Sequence, residues 1–165
     1  MSRKTPEPVQ VVKQRRDAAL AGLVSSIPYA AFLGISFDRR GNELTGVLSF
    51  EEHLIGNPML PALHGGVTAA FLEVSAIVEL GWASLWDVME AGEEPQSKDQ
   101  QDALRLPKTI DFTVDYLRSG LPRDAYTRTR INRSGRRYAS VHVEAWQDNR
   151  SLLFAQATGH FLMSQ

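Results

Sequence analysis

With 165 residues, 43% of them hydrophobic and 22% charged, the chain has the size and balance of one compact globular domain rather than of a disordered or fibrous protein. Its net charge of -1 supplies no broad cationic field for a nucleic-acid backbone or an anionic membrane, so neither is expected as a partner. The absence of cysteine excludes a disulfide framework, a thiolate nucleophile and a cysteine-based metal site.

The chain opens on "MSRKTPEPVQVVKQRRDAAL", polar and basic without the apolar stretch of a signal peptide, which points to a cytoplasmic address. Residues 1–27 read as an N-terminal helical segment. Val9, Val12, Ala18, Ala19, Leu20, Leu23 and Val24, set among charges, predict an amphipathic helix over 7–25 that ends near Ser25 to Pro28. "FLGISFD" (32–38) and "ELTGVLSF" (43–50) flank "RRGN" and predict a hairpin, with Leu44, Leu48 and Phe50 on one face of the second strand.

Next comes "LPALHGGVTAAFLEVSAIVEL" (60–80), which predicts a helix from about Gly65 to Trp86, apolar nearly all round and therefore enclosed. Its longest apolar run, Val67 to Leu80, holds Glu73 and ends beside Glu79, which favours a core helix over a membrane span. Residues 90–108 are polar with Gly and Pro and predict a long loop. Beyond it the period changes from helix to strand. "TIDFTVDYL" (109–117) alternates, with Ile110, Phe112, Val114 and Tyr116 on one face and Thr109, Asp111, Thr113 and Asp115 on the other. Strands over 124–132, 137–146 and 151–162 follow, separated by "RSGR" and "QDNR".

The predicted fold is therefore α+β: a curved antiparallel β-sheet wrapped around a central α-helix, with an N-terminal helix, in a single domain over 1–165. A sheet curled around one helix leaves edges to be covered, and oligomerisation covers them.

The head of the central helix is the first candidate site. Gly65 and Gly66 let the backbone approach another group, and the first helical N–H groups lack intrahelical acceptors. Such a terminus binds anions and suits an oxyanion developing at a carbonyl; the plain alternative is a tight strand-to-helix corner built by His64 and the glycines. Glu73 is the second. Among Ala69, Ala70, Phe71, Leu72, Val74, Ala76 and Ile77 it has few local partners, and desolvation disfavours its charged form, as suits a general base or nucleophile. The alternative for Glu73 is an ion pair across a subunit contact, or water at a helix edge.

Eight residues separate Gly65 from Glu73, or about 12 Å along one helix, whereas base and oxyanion donors must both sit about 3 Å from the reacting atoms. If the two act together, the Gly65 N–H of one protomer should meet Glu73 of the partner subunit across a two-fold axis.

"LHGGVTAAFLEVSA" resembles the hotdog-fold acyl-CoA thioesterases of the phenylacetate-pathway (PaaI-like) type, and the order of elements is similar over residues 28–163. The resemblance implies a homodimer or dimer of dimers, an active site at the subunit interface, and hydrolysis of a coenzyme A thioester with no further cofactor. It implies that Glu73 is nucleophile or general base, as in the glutamate-using 4-hydroxybenzoyl-CoA thioesterase, where the PaaI-like branch more often has aspartate. It also implies that the Gly65 N–H polarises the thioester carbonyl, with His64 shaping the corner and Gly66 beside it. The family tends to place an asparagine six residues before the histidine; Asn57 stands seven before His64 here, so one inserted residue has to be absorbed.

Arg133, Arg136 and Arg137 in "NRSGRRY" suit coenzyme A phosphates, or are solvated turn residues. His53, His142 and His160 are dispersed without metal-ligand spacing, so packing or hydrogen bonding is expected of them and no metal. Trp82 and Trp86, one turn apart, are expected in the core, with an acyl pocket for an aromatic or medium-length chain as the alternative. Ser75 sits in no G-x-S-x-G elbow, which argues against a serine hydrolase. Two rival functions remain: a non-catalytic acyl-CoA-binding module, and an enoyl-CoA hydratase or dehydratase, whose signature "GNPMLPALHGG" only partly matches.

Overall fold

The computed structural model of the chain describes residues 7–91 and 106–163. Helix α1 (Val9–Ser25) and a short α2 (Pro28–Leu33) lead into strands β1 (Ile35–Arg40) and β2 (Glu43–Leu48). A single 3-10 turn at Glu52–Leu54 precedes the long helix α3 (Gly65–Glu90). Four strands follow: β3 (Lys108–Tyr116), β4 (Ala125–Ser134), β5 (Tyr138–Trp146) and β6 (Ala155–Leu162). All six strands join one antiparallel sheet in the order β1-β2-β4-β5-β6-β3. The chain thus has the predicted α+β architecture, with β1 and β3 as the sheet's edges.

Three boundaries differ from the sequence reading. Phe32 and Leu33 close α2 instead of opening the first strand. Pro28 starts that helix, and Gly34, with φ 72°, ends it in the left-handed conformation that glycine adopts without penalty. Six residues show too little periodicity to be seen as a helix. At the other end of the chain β6 begins at Ala155, because Asn149 Oδ1 accepts from both the backbone N–H and the hydroxyl of Ser151 and holds the chain in a turn there. Helix α3 runs one turn past Trp86, and the loop expected over 90–108 lies, apart from its ends, outside the described residues.

Enclosure of α3 organises the rest. Phe71, Leu72, Ala76, Val78 and Leu80 of the helix are buried with Ala139, Val141, Val143 and Ala145 of β5 and Ala155, Ala157 and Phe161 of β6. Short alanine side chains on the strands allow the helix backbone close approach, and larger ones fill the gaps on either side. By length and composition α3 would cross a bilayer, since an 18-residue window of it has a mean hydropathy of 1.4. Here its apolar faces are taken by the sheet instead.

Both tryptophans belong to this packing. The Trp82 indole is buried and donates to the Asn42 carbonyl at 3.1 Å, tying α3 to the β1–β2 turn, where Gly41 has φ 63°. Trp86 lies against it, with ring centroids 5.7 Å apart and the Arg16 guanidinium of α1 over its face at 4.1 Å. Ser75 is equally structural: its hydroxyl donates to Phe71 O and shares a hydrogen bond with Thr127 of β4 at 2.7 Å. Gly46 makes room for that pair, because a Cβ there would stand 2.2 Å from Thr127 Oγ1 and 3.0 Å from Ser75 Oγ.

Candidate active site

The corner that leads into α3 is closed from both sides. Ile55 and Leu63 form an isolated antiparallel bridge, Gly56 N–H donates to Ala62 O at 3.0 Å, and His64 N–H donates to Leu54 O at 2.8 Å. Gly56 is pressed against His64, where an added Cβ would come within 2.8 Å of His64 Cα. Within this loop Asn57 starts an exposed turn: its Oδ1 accepts from Met59 N–H at 3.0 Å and its carbonyl from Leu60 N–H at 3.2 Å. An extra residue is absorbed cheaply in such a turn, and the side-chain oxygen of Asn57 is engaged within it.

His64 is the N-cap of α3, and it caps with its ring. Nδ1 accepts from Gly66 N–H at 2.9 Å, which leaves the ring proton on Nε2. Of the two glycines expected at the site, Gly66 therefore donates within the chain, while Gly65 N–H has no acceptor among the described residues. That free amide stands at the positive end of a 26-residue helix. From the opposite side the Tyr116 hydroxyl of β3 donates to Gly65 O at 2.8 Å, and its ring lies 3.5 Å from where a Gly65 Cβ would be. Ala62, Leu63, Tyr116, Leu117 and Phe154 line a cleft of about 300 Å³ beside this corner, together with Gly65 and Thr68.

Glu73 sits just over two turns further along α3, half-buried. It has a partner that the local sequence does not show: Thr109 Oγ1 of β3 donates to Glu73 Oε1 at 2.6 Å. Oε2 receives no hydrogen bond from the described residues. Strand β3 thus touches both functional positions, Thr109 at Glu73 and Tyr116 at Gly65, so β3 and α3 run in opposite directions past one another.

Arg133, Arg136 and Arg137 lie at the Glu73 end of the sheet. Lys108 pairs with Leu162, and Leu162 with Tyr138, next to Arg137, while Arg133 and Arg136 complete the β4–β5 turn. All three arginines are exposed. The histidines have the packing and hydrogen-bonding surroundings expected of them. His53 tilts against Phe32, His142 Nε2 stands 3.6 Å from Glu144, and His160 stacks on Tyr138 with Nδ1 3.4 Å from Asp111. Among the described residues no three side chains are grouped to hold a metal ion.

A second carboxylate on α3 has a different environment. Six residues past Glu73, and so about 120° away round the helix, Glu79 faces the half of the sheet that carries Glu43 and Arg128. Burial pushes its carboxyl from 4.5 up to about 7; the Arg128 guanidinium opposes that rise and the Glu43 carboxylate adds to it. Arg128 is itself committed to Glu43 at 3.1 Å and to Thr45 at 2.8 Å. A strongly displaced carboxyl often marks a catalytic group, but Glu79 lies away from both Gly65 and Thr109, and its consequence is for stability.

Between 4.5 and about 7 the folded chain keeps a proton on Glu79 that the unfolded chain has lost. Stability therefore falls as pH rises through that window and levels off above it. Glu79→Gln removes the ionisation. It is expected to make the protein about 2–3 kcal/mol more stable than the parent at about pH 8, with little difference at about pH 5, as measured by denaturant unfolding. An unchanged gap between the two pH values would show that Glu79 ionises freely in the fold.

Comparison with known proteins adds a family. Residues 56–162 match the family described as the acyl-CoA thioesterase N-terminal domain. The medium/long-chain acyl-CoA thioesterase YigI of Escherichia coli K12 is 28% identical over 142 residues, 85% of this chain and 88% of YigI. A crystal structure from Chromobacterium violaceum is similar with 32% identity and a TM-score of 0.63, covering 94% of this chain and 97% of that one. The E. coli PaaI protein of the phenylacetic acid degradation operon shares the fold at 11% identity and a TM-score of 0.67, over 91% of this chain and 94% of its own.

Proposed function

The chain belongs to the acyl-CoA thioesterase family, and from that premise we propose that it cleaves medium-chain acyl-CoA thioesters at a composite site in which Glu73 of one subunit faces the Gly65 amide of the partner subunit. It is a thioester hydrolase with a PaaI-like hotdog fold. The residues and the subunit arrangement are our reading, and it treats residues 1–165 as one domain in a cytoplasmic homodimer. A dimer of dimers satisfies the same geometry.

The observation that carries the reading is the double attachment of β3. Among the described residues this strand is a sheet edge with no neighbour on its outer side, and such edges pair with a second copy readily. A two-fold axis near Phe112 and Thr113 lays Thr109 of one strand beside Tyr116 of the partner subunit. Since Thr109 holds Glu73 and Tyr116 holds the Gly65 carbonyl, the same axis brings each Glu73 towards Gly65 of the partner subunit. The 12 Å spacing along a single helix then ceases to be an obstacle.

At that site the thioester oxygen accepts from the Gly65 N–H, and the helix end stabilises the negative charge that grows there. Glu73 delivers the attacking oxygen, either its own or that of a water it deprotonates. On both routes the C–S bond breaks and coenzyme A leaves as the protonated thiol. As base, Glu73 passes the proton of the water to the departing sulfur and the acid keeps the water oxygen; as nucleophile, it is left as a mixed anhydride with the acyl group while the thiolate takes a proton from solvent, and water then hydrolyses the anhydride to release the acid and restore the carboxylate. Arg133, Arg136 and Arg137 lie at the Glu73 end of the sheet, where they suit the phosphates of the coenzyme.

The acyl preference follows from the surface near the helix head. Trp82 and Trp86 are committed to the core and α1, so neither supplies an aromatic pocket. Flexible apolar side chains do surround the head: Met59 is 87% exposed, Leu60 72% and Leu117 50% in the single chain. They suit an alkyl chain better than a ring, and the name of the similar YigI protein points the same way.

A thiol-release assay over acetyl-, hexanoyl-, decanoyl-, palmitoyl-, benzoyl- and phenylacetyl-CoA tests the proposal. The expected kcat/KM peaks at the middle alkyl lengths. A peak at phenylacetyl- or benzoyl-CoA would reject the alkyl reading, and binding without thiol release would reject hydrolysis itself.

A further inference from the structure

Strand β3 does not alternate cleanly along its length. Its pairing with β6 runs from Thr109↔Phe161 directly to Asp111↔His160, so Ile110 is the extra residue of a β-bulge. Phe112 and Val114, two and four residues beyond Ile110, pack on the core. An unbroken strand would therefore have turned Ile110 inward with them and Thr109 outward with Asp111. The bulge reverses both. Ile110 is 53% exposed in the single chain, and the Thr109 hydroxyl is turned onto α3, where it meets Glu73 Oε1 at 2.6 Å.

A second bulge lies near the same rung of the sheet, in β4, with β5 and β6 running regularly between the two. In β4 the pairing jumps from Ile131↔Val141 to Arg133↔Ser140, leaving Asn132 unpaired, and Ser140 pairs with the same His160 that faces Asp111. The two bulges thus sit near one rung of the sheet, the outer one beside Thr109. Bulges re-aim side chains, and this one delivers a hydroxyl to a half-buried carboxylate.

We infer that Thr109 is the positioning residue of the catalytic carboxylate: by holding Oε1 of Glu73 it leaves Oε2 free and aimed at the thioester carbonyl. The inference rests on the reading of Glu73 given above. Threonine suits the task because branching at Cβ restricts χ1, so the hydroxyl has few directions to choose from. A hydrogen bond to a charged acceptor is stronger than one between neutral groups, and it fixes one oxygen without occupying the other. Thr109 itself touches neither substrate nor the reacting atoms.

Three substitutions at this position test the inference. Thr109→Val keeps the shape and the strand preference and removes the donor; Thr109→Ser keeps the donor; Thr109→Ala removes it with less bulk. With decanoyl-CoA as substrate, Thr109→Val is expected to lower kcat by roughly 10- to 100-fold with KM within about twofold of the parent, while Thr109→Ser stays within about threefold on kcat. Circular dichroism melting and sedimentation are expected to match the parent for both. If Thr109→Val fails to fold, the comparison of Ala with Ser carries the same test.

A kcat for Thr109→Val within about twofold of the parent, or a serine variant as impaired as the valine one, overturns the inference. Glu73→Gln is run alongside. An active Glu73→Gln enzyme removes the reading on which the inference rests; an inactive one, paired with an unimpaired Thr109→Val, removes the role of Thr109 alone.

Discussion

Glu73→Gln is expected to lower kcat by roughly 10²- to 10⁴-fold, with KM, melting behaviour and assembly close to those of the parent enzyme. Glutamine has nearly the same shape, and its side-chain oxygen can still accept from the Thr109 hydroxyl, which now meets Glu73 Oε1 at 2.6 Å. What it lacks is the second carboxylate oxygen as base or nucleophile. The loss should therefore fall on the chemical step, and steady-state thiol release with a medium-chain substrate reads it directly. Activity retained within a few-fold would make Glu73 a structural residue that fills a half-buried place beside Thr109. With the active parent enzyme, oxygen-18 water separates the two chemical roles in a single-turnover experiment, since label enters the Glu73 carboxylate only if that carboxylate itself attacks.

Mixing two inactive variants is expected to restore about a quarter of the parent activity. The first is Glu73→Gln; the second is Gly65→Pro, which removes the amide hydrogen assigned to the oxyanion. Proline is tolerated at the first helical position, and His64 before it already has φ -59° and ψ 133°, the extended conformation that a following proline requires. Alone, Gly65→Pro should lose about 10²- to 10³-fold in kcat. In a hybrid dimer one site combines both lesions, while the other joins an intact Glu73 to an intact Gly65 of the partner subunit. Random reassortment makes about half of the dimers hybrid, each with one working site of two. Unfolding and refolding the two proteins together, then assaying thiol release, measures the recovery. No recovery, with hybrids demonstrated by differential tagging, would mean that each site is built within one chain.

The parts of this site that were legible in the sequence are those governed by local rules. Gly65, Gly66 and His64 announce a helix start with free amides, and Glu73 stands out because, Ser75 apart, its neighbours within a turn are apolar. The strands after residue 108 announce themselves by alternation. Helix α2 escaped because six residues do not complete two turns, although Pro28 and Gly34 mark its ends. Thr109 and Tyr116 escaped for a different reason: their partners lie 36 and 51 residues away. For Thr109 alternation was misleading as well, since it assigned the residue to the outer face and only the bulge at Ile110 brings it in. Glu79 looked like the end of an apolar run, because the burial that displaces its carboxyl depends on how β2 and β4 pair. The ring of His64 as an N-cap was equally hidden, since histidine is not among the usual capping residues.

Both contacts that define the site, at Thr109 and at Tyr116, are made by β3, which among the described residues is held on one side only, by β6. In the proposed dimer its other side is covered by the same strand of the partner subunit, so a chain that loses its partner is left with a border strand that opens at lower free energy than the interior strands it leans on. Dilution or mild denaturant will therefore silence the molecule while β4, β5 and β6 still stand around their helix. A damaged copy fails as an inert, intact-looking body, and catalytic competence reports on the health of a single strand.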